Sequence, residues 1–475
     1  MSNVHATSSA VELTAALRDN EISARELLDV YLDRIDRLDK GRVNAVVTLD
    51  AERARETAAA ADERLAQGDP IGPLHGLPIT IKDAIETEGI RSTGGAVELA
   101  DHVPTADAPA VARLKEAGAI VFGKTNLPRW SGDSQAFNEL FGTTNNPWSL
   151  EHVPGGSSGG SAAALAAGLT GAELGTDIGG SVRAPAHCCG IYALKPSYGV
   201  VPNLGYLDHV GGGTTQTDIN TFGPMARSAS DLDLLLGVLA GPAPDEAPAW
   251  RLELPTEDQT SLAGLRVAAW FEDDACPVDA EYAGMLRATA DTLADAGARV
   301  TESHPSVPFG KHVNLYMRLI AAAVSPGMPD DFGEQISGTH RQWLRSDEKR
   351  AAFRRAWAEW FEQYDVLLAP AWSVPPLLHD QEGDMISRTI LVNGIPQNHF
   401  DISLWLMLVN LTNLPSVVVP IGRTSAGLPV GMQIIAPYLR DRRAVRVAEL
   451  VEELIGGYEV PPGFEDAHDR VGSTR

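Results

Sequence analysis

The residues best suited to chemistry in this chain lie in two glycine–serine turns, Gly155-Gly156-Ser157-Ser158-Gly159-Gly160-Ser161 and Asp177-Ile178-Gly179-Gly180-Ser181. Glycines ahead of a serine let the backbone turn sharply and leave N–H groups pointing outward, and such a nest beside a helix start stabilises an anion. A serine set in the nest is placed to attack a carbonyl whose oxygen those N–H groups then hold. One turn of this kind is more often an ordinary Gly-rich turn with a serine helix cap. Here there are two, each leading into a helix-like run, 162–168 and 182–188. The serine also needs a base. No Lys or Arg stands between Arg129 and Arg183, and His152 and His187 only flank the turns. Lys82 is the strong alternative: it falls on the polar face of an otherwise apolar strand, beside Thr80, where desolvation would favour the neutral amine. Spacing alone favours the plainer outcome, a strand-end lysine in solvent. Asp83 alternates to the opposite face and is not expected to pair with Lys82.

Other matches are weaker. Gly155-Gly156-Ser157-Ser158-Gly159 fits the G-x-S-x-G elbow of α/β-hydrolases. The oxyanion-loop look-alike, His209-Val210-Gly211-Gly212-Gly213, comes after the serine and so in the wrong order. Ser346-Asp347-Glu348-Lys349 fits S-x-x-K without its partner motifs and reads as charged helix surface. His187-Cys188-Cys189 lacks a second ligand cluster at metal spacing and reads as a packed turn.

These residues must be carried by a large scaffold. The chain has 475 residues, 44% hydrophobic and 21% charged, which is ordinary for a globular protein. Its net charge of −25 argues against non-specific nucleic-acid binding and against docking on anionic membranes. Three cysteines cannot build a disulfide framework, and no signal peptide is visible at residues 1–10, so a cytoplasmic setting is expected. Helices are expected at 11–18, capped by Ser8 or Ser9, at 24–38, capped by Ser23, and at 51–67. A strand at 76–85 shows period two, with Leu77, Ile79 and Ile81 on one side. Then come a helix (107–117), a strand (119–122), a long polar loop (124–156) and a helix at 232–239. Segment 241–262 is linker-like and reads as a surface loop. Residues 264–303 form a βαβ pattern, followed by strands at 365–369 and 429–435 and a closing helix at 441–455. The uncharged run 402–422 is long enough to span a membrane. Asn410, Asn413, Pro415 and Pro420 break it into a buried helix, a turn and a buried strand. Alternating strands and helices predict an α/β fold, one large mixed twisted sheet covered on both faces by helices.

Several motifs in order give a resemblance. Gly76-Leu77-Pro78 with Ile81-Lys82-Asp83, the two Gly-Gly-Ser turns with Val182-Arg183, Gly190 and Leu194-Lys195-Pro196 resemble the amidase signature family. Gly123-Lys124-Thr125-Asn126, Thr144-Asn145-Asn146-Pro147-Trp148 and Gly223-Pro224-Met225-Ala226-Arg227-Ser228 resemble its flanking segments. The resemblance covers nearly the whole chain and implies a single amidase domain, 1–475, with a helical segment at 1–70, a signature core at 74–230 and a half completing the sheet at 264–475. It implies a Ser–cis-Ser–Lys triad of Ser181 as nucleophile, Ser157 as bridge and Lys82 as base, with a cis peptide at Gly156–Ser157. It implies an oxyanion hole from the N–H groups of Ile178, Gly179, Gly180 and Ser181, supported by Ser158, Asp177 and Arg183.

The implied activity is hydrolysis of carboxylic amide C–N bonds through an acyl-enzyme, with no metal or organic cofactor. Arg129-Trp130 depart from the family's usual Glu-Phe. Residues 132–142 and Leu391-Val392-Asn393-Gly394 look more like stand-alone hydrolases, including nylon-oligomer hydrolases and urethanases. Anilides and carbamates therefore join amides as expected small-molecule substrates, with the protein acting as a monomer or homodimer. Two alternatives stay open: the amidase component of a transamidating (amidotransferase) complex, and an α/β-hydrolase esterase using Ser157 with a histidine. Residues 129–142, 202–217 and 306–345 are the expected pocket wall.

Overall fold

The computed structural model describes residues 4–465. The chain opens with helices Ala10–Arg18 and Ala24–Arg34, where Ser9 and Ser23 each close a capping box with the glutamate three residues on. The second runs on into a wider-turned segment, Ile35–Val43. Helix Ala51–Gln67 packs against helix Ala24–Arg34 and ends at Gly68, whose φ of 74° suits glycine.

Eleven strands then build one sheet: β1 Val46–Leu49, β2 Pro78–Lys82, β3 Ile120–Thr125, β4 Glu173–Asp177, β5 Tyr192–Lys195, β6 Thr221–Ala226, β7 Arg266–Ala269, β8 Arg299–Glu302, β9 Val366–Pro370, β10 Ser416–Arg423 and β11 Pro429–Ile435. Their order is β1-β3-β2-β4-β6-β5-β10-β11-β9-β7-β8. The β3-β2-β4 and β9-β7-β8 runs are parallel and the remaining neighbours antiparallel, so the sheet is mixed, as expected. Every residue of β2, β3, β4, β5 and β6 is buried, which fits central strands covered on both faces.

The βαβ pattern is present as β7, helix Ala280–Asp295 capped by Asp279, and β8. The apolar run 402–422 divides as its breakers require. Helix Leu404–Thr412 stops at Asn413, at φ 64°, and β10 enters the sheet between β5 and β11. Among the described residues no helix is long and apolar enough to cross a membrane. The loop expected at 124–156 begins later, because β3 extends to Thr125, and it holds a short strand pair, Phe137–Asn138 with Gly142–Thr143. The hairpin Thr389–Val392 with Ile395–Asn398 was not foreseen as structure; Asn393 and Gly394 make its turn with positive φ.

Candidate active site

Three adjacent strands set the site. Register pairs Thr80 with Glu173 and Ile81 with Leu174 between β2 and β4, and Lys82 with Thr125 between β2 and β3. Lys82 therefore lies inside the sheet and is fully buried, not at a solvent-facing strand end as spacing alone favoured. Its Nζ donates to Ser157 Oγ at 2.6 Å and to Thr176 Oγ1 at 2.7 Å. Burial drives its pKa well below the ordinary lysine value, and the negative charges of Asp177 and Glu173 only partly oppose this. Asp83 turns away, as strand alternation requires, and accepts from the Thr93 N–H at 3.1 Å.

The two Gly-Gly-Ser turns meet. The Ser158 N–H donates to the Ser181 carbonyl at 3.0 Å, and the Gly156–Ser157 peptide is cis. Position 156 needs glycine because a Cβ there would lie 2.5 Å from the Ser134 carbonyl carbon. Position 180 needs it twice over, with φ at 117° and the Leu406 side chain where a Cβ would sit.

The second turn is braced by a buried ion pair. The Asp177 carboxylate accepts from Arg183 Nε at 3.0 Å and Nη2 at 2.9 Å, and from the Val182 N–H at 3.2 Å. It also accepts from Asn410 Nδ2 at 3.0 Å. Arg183 is completed by Gln433 Oε1 at 2.7 Å, Asn410 Oδ1 at 2.6 Å and the Leu406 carbonyl at 3.0 Å. Burial works to raise the Asp177 carboxyl, but the Arg183 guanidinium outweighs it and holds the group well below the usual carboxylate range.

One residue of the expected oxyanion hole needs correction. The Gly180 N–H donates to Asp177 Oδ1 at 2.8 Å and so is committed to holding the turn in shape. The N–H groups of Ile178, Gly179 and Ser181 donate to no other described residue, and all three residues line one cavity. Tyr316 Oη donates to the Ile178 carbonyl at 3.0 Å, fixing the same turn from the helix Phe309–Val324. Ser181 is half-buried, and its hydroxyl makes no hydrogen bond to another described residue. The link from Ser157 to Ser181 is thus open.

The cavity above them holds about 820 Å³, and Gly156 and Ser181 are in its wall. All three expected wall segments contribute: Arg129 to Ser134 from the first, Tyr206 and Asp208 to Val210 from the second, and Tyr316 to Ile336 in part from the third. Glu98, Met385, Ile386, Phe400, Ser403 and Met407 were not foreseen; they arrive from distant segments. Its large side chains are mainly apolar, among them Trp130, Ile320, Met328 and Phe332. Its charged groups have partners: Arg129 with Glu98, Asp133 with Arg388 at 2.8 Å, and Asp208 with the His209 ring at 2.6 Å.

The weaker sequence matches resolve simply. His187 Nδ1 accepts from the Gly431 N–H and Nε2 bonds the Val374 carbonyl, with Cys188 and Cys189 buried beside it, so these residues are packed as expected, but in the helix Arg183–Cys189 rather than in a turn. Ser346 is buried, contrary to the surface reading, while Glu348 and Lys349 are exposed. No histidine among the described residues hydrogen-bonds to Ser157 or Ser181, as the esterase alternative would need. Thr176 was missed, although it stands beside Asp177 in the second motif; only the β2–β4 neighbourhood makes it Lys82's second partner.

A mixed eleven-stranded sheet with a buried lysine–serine pair beside two joined glycine–serine turns defines a class of amide-cleaving enzymes. The chain belongs to that class, the amidase signature family: the family model described as Amidase matches residues 26–328 and 330–445. It is 35% identical to a glutamyl-tRNA(Gln) amidotransferase subunit from Roseiflexus sp. (strain RS-1), over 92% of this chain and 94% of that one. It is 34% identical to the indoleacetamide hydrolase of Bradyrhizobium diazoefficiens, over 94% of this chain and 86% of that one. Among solved structures, a bacterial aryl acylamidase of the amidase signature family superposes with a TM-score of 0.83 at 27% identity, covering 97% of this chain and 99% of that one.

Proposed function

We propose that this protein hydrolyses carboxylic amides bearing apolar acyl or aryl groups, with anilides and carbamates among its substrates, through an acyl-enzyme on Ser181. The observation that carries this reading is Lys82. It is fully buried, its hydrogen-bond partners are two neutral hydroxyls, and it lies next to an apolar cavity walled by Ser181. A desolvated lysine without a bonded carboxylate is poised as a neutral base.

When substrate fills the cavity, the Ser181 hydroxyl turns to Ser157. Lys82 takes the Ser157 proton while Ser157 takes that of Ser181, and Ser181 Oγ bonds the carbonyl carbon. The carbonyl oxygen becomes an oxyanion held by the N–H groups of Ile178, Gly179 and Ser181. The C–N bond then breaks, and the amine leaves with a proton returned from Lys82 through Ser157. Water enters by the same relay and releases the acid. Each step moves a proton or an acyl group between these side chains, so the scheme calls for no cofactor. The three buried free cysteines support a reducing, cytoplasmic setting, and the protein would act as a monomer or homodimer.

The similarity to amidotransferase subunits favours a second reading, release of ammonia for a tRNA-bound ester within a complex. The cavity counts against it. Glutamine carries an ammonium and a carboxylate, whereas the cavity's charged side chains Arg129, Glu98, Asp133 and Asp208 already have partners. Purified chain assayed alone on a chromogenic anilide, an aryl carbamate and glutamine separates the two. Turnover of the anilide, abolished by Ser181→Ala with unchanged circular dichroism, supports hydrolysis. Cleavage of glutamine alone, or a Ser181→Ala variant within about tenfold of wild type, defeats it.

A further inference from the structure

Behind Lys82 lies a carboxylate that the proposed relay does not use. Glu173 opens β4 and is 2% exposed. Its Oε1 accepts from Thr80 Oγ1 at 2.6 Å, and its Oε2 is buried without a hydrogen-bond partner. Thr80 and Lys82 point to the same side of β2, so Thr80 holds Glu173 beside the strand position that carries the lysine. Two more hydroxyls face it, those of Thr125 on β3 and Ser161 on helix Gly159–Ala166, which are bonded to each other at 2.8 Å.

We propose that Glu173 is a positioning residue for the reaction: through its charge, it sets how readily Lys82 gives up its proton. The cluster is closed to water, so charges inside it act on one another with little screening. The negative charges of Asp177 and Glu173 both act on Lys82, in the direction that favours its ammonium. Asp177 is committed to Arg183 by two hydrogen bonds, whereas Glu173 has no cation bonded to it among the described residues: Thr80 Oγ1 donates to it, and the hydroxyls of Thr125 and Ser161 face it. Lys124 on β3, which also faces Glu173, is fully buried and donates to Thr87 Oγ1 at 2.8 Å and Ser92 Oγ at 3.0 Å, with Asp83, Asp107 and Lys115 as its other charged neighbours. Burial raises the Glu173 carboxyl to about 7, against the hydroxyls of Thr80, Thr125 and Ser161 and the charge of Lys124. Glu173 and Lys82 therefore titrate as a linked pair. Ionised Glu173 favours the ammonium, and protonated Glu173, with Oε2 carrying the proton, releases Lys82 to the neutral form that takes the Ser157 proton.

This rests on Lys82 being the base, and the test separates the two claims. Glu173→Gln keeps an acceptor for Thr80 and removes the charge, and kcat/KM on an anilide is measured from pH 5 to 10 and normalised to each plateau. The expected result is an ascending limb displaced to lower pH by on the order of one unit. Thr80→Val, which strips the carboxylate of its donor and so favours its neutral form, moves the limb the same way and serves should Glu173→Gln fail to fold. Glu173→Asp, retaining the charge, keeps the limb near wild type. A purely structural role would lower the plateau and the melting temperature with the limb in place, and that result overturns the inference while leaving the base assignment intact. A Lys82→Ala enzyme that retains both rate and limb overturns both.

Discussion

Asp177→Asn changes one atom type at a heavily bonded point of the site. The carboxylate accepts five hydrogen bonds: from the N–H groups of Gly180 and Val182, from Nε and Nη2 of Arg183, and from Asn410 Nδ2. An asparagine cannot satisfy them in either orientation. With its amide nitrogen at the Oδ1 position it meets Gly180, Asn410 and Arg183 as donor against donor; with it at Oδ2 it meets Val182 and Arg183. Arg183 is left as a fully buried cation without its counter-charge. Losing one partner of such a pair costs about 3–5 kcal/mol. The turn loosened is the one that aims the N–H groups of Ile178, Gly179 and Ser181, and a misplaced oxyanion donor costs on the order of 10²–10³ in kcat. Urea unfolding followed by tryptophan fluorescence and kcat/KM on an anilide read the two effects. Adding Arg183→Met should restore part of the stability, by removing the unpaired charge, and none of the activity. The sign with pH is also fixed. The folded carboxyl titrates below its unfolded value of ~3.9, so its contribution is present above that pH and lost as pH falls through the folded value; the Asn variant lacks that acid loss. An Asp177→Asn enzyme within about 1 kcal/mol and about tenfold of wild type would refute the reasoning and show that packing alone holds the turn.

Two other outcomes follow from the same geometry. Because Lys82 titrates below its unfolded value of ~10.4, kcat/KM should climb along one limb and level off towards alkaline pH, and the burden of a desolvated ammonium on folding should diminish as pH rises. Urea titrations should then show wild type gaining on Lys82→Ala between pH 7 and 10; a constant difference would mean the lysine is not desolvated. Phe332 is half exposed, at 50%, in the cavity wall, so Phe332→Ser should leave the melting temperature in place while raising KM several-fold for long-acyl anilides and barely for acetanilides; equal effects on both would place the acyl group elsewhere.

Much of the scaffold was readable from local pattern. Ser9 and Ser23 cap helices where their side chains precede apolar periodicity, and Asn413 with Pro415 ends the uncharged run in a turn because helix and strand rules act over a few residues. The paired glycine–serine turns drew attention to Ser157 and Ser181 for the same reason: glycine content and backbone conformation are local. Side-chain environment is not. Lys82 reads as a solvent lysine until β3 and β4 flank its strand, and Thr176 becomes its partner only through that neighbourhood. Gly180 looks like a free donor until Asp177 folds back on it.

The sequence by itself determined many of the helices, the outer strand–helix–strand unit, several caps and breaks, and the two turns that bring serines to sharp bends; the strands Glu173–Asp177, Tyr192–Lys195 and Thr221–Ala226 and the helices between 309 and 361 carried no such local signature. Tertiary structure alone decided which groups are charged, paired or dry. Arg183 is completed by Asn410 and Gln433, each more than 220 positions away along the chain, and Glu173 meets Thr80 across 93. Burial and Coulomb energy depend on distance in space, and strand order sets that distance: a sheet that places β2 between β3 and β4 removes water from a lysine that no spacing rule could mark as buried.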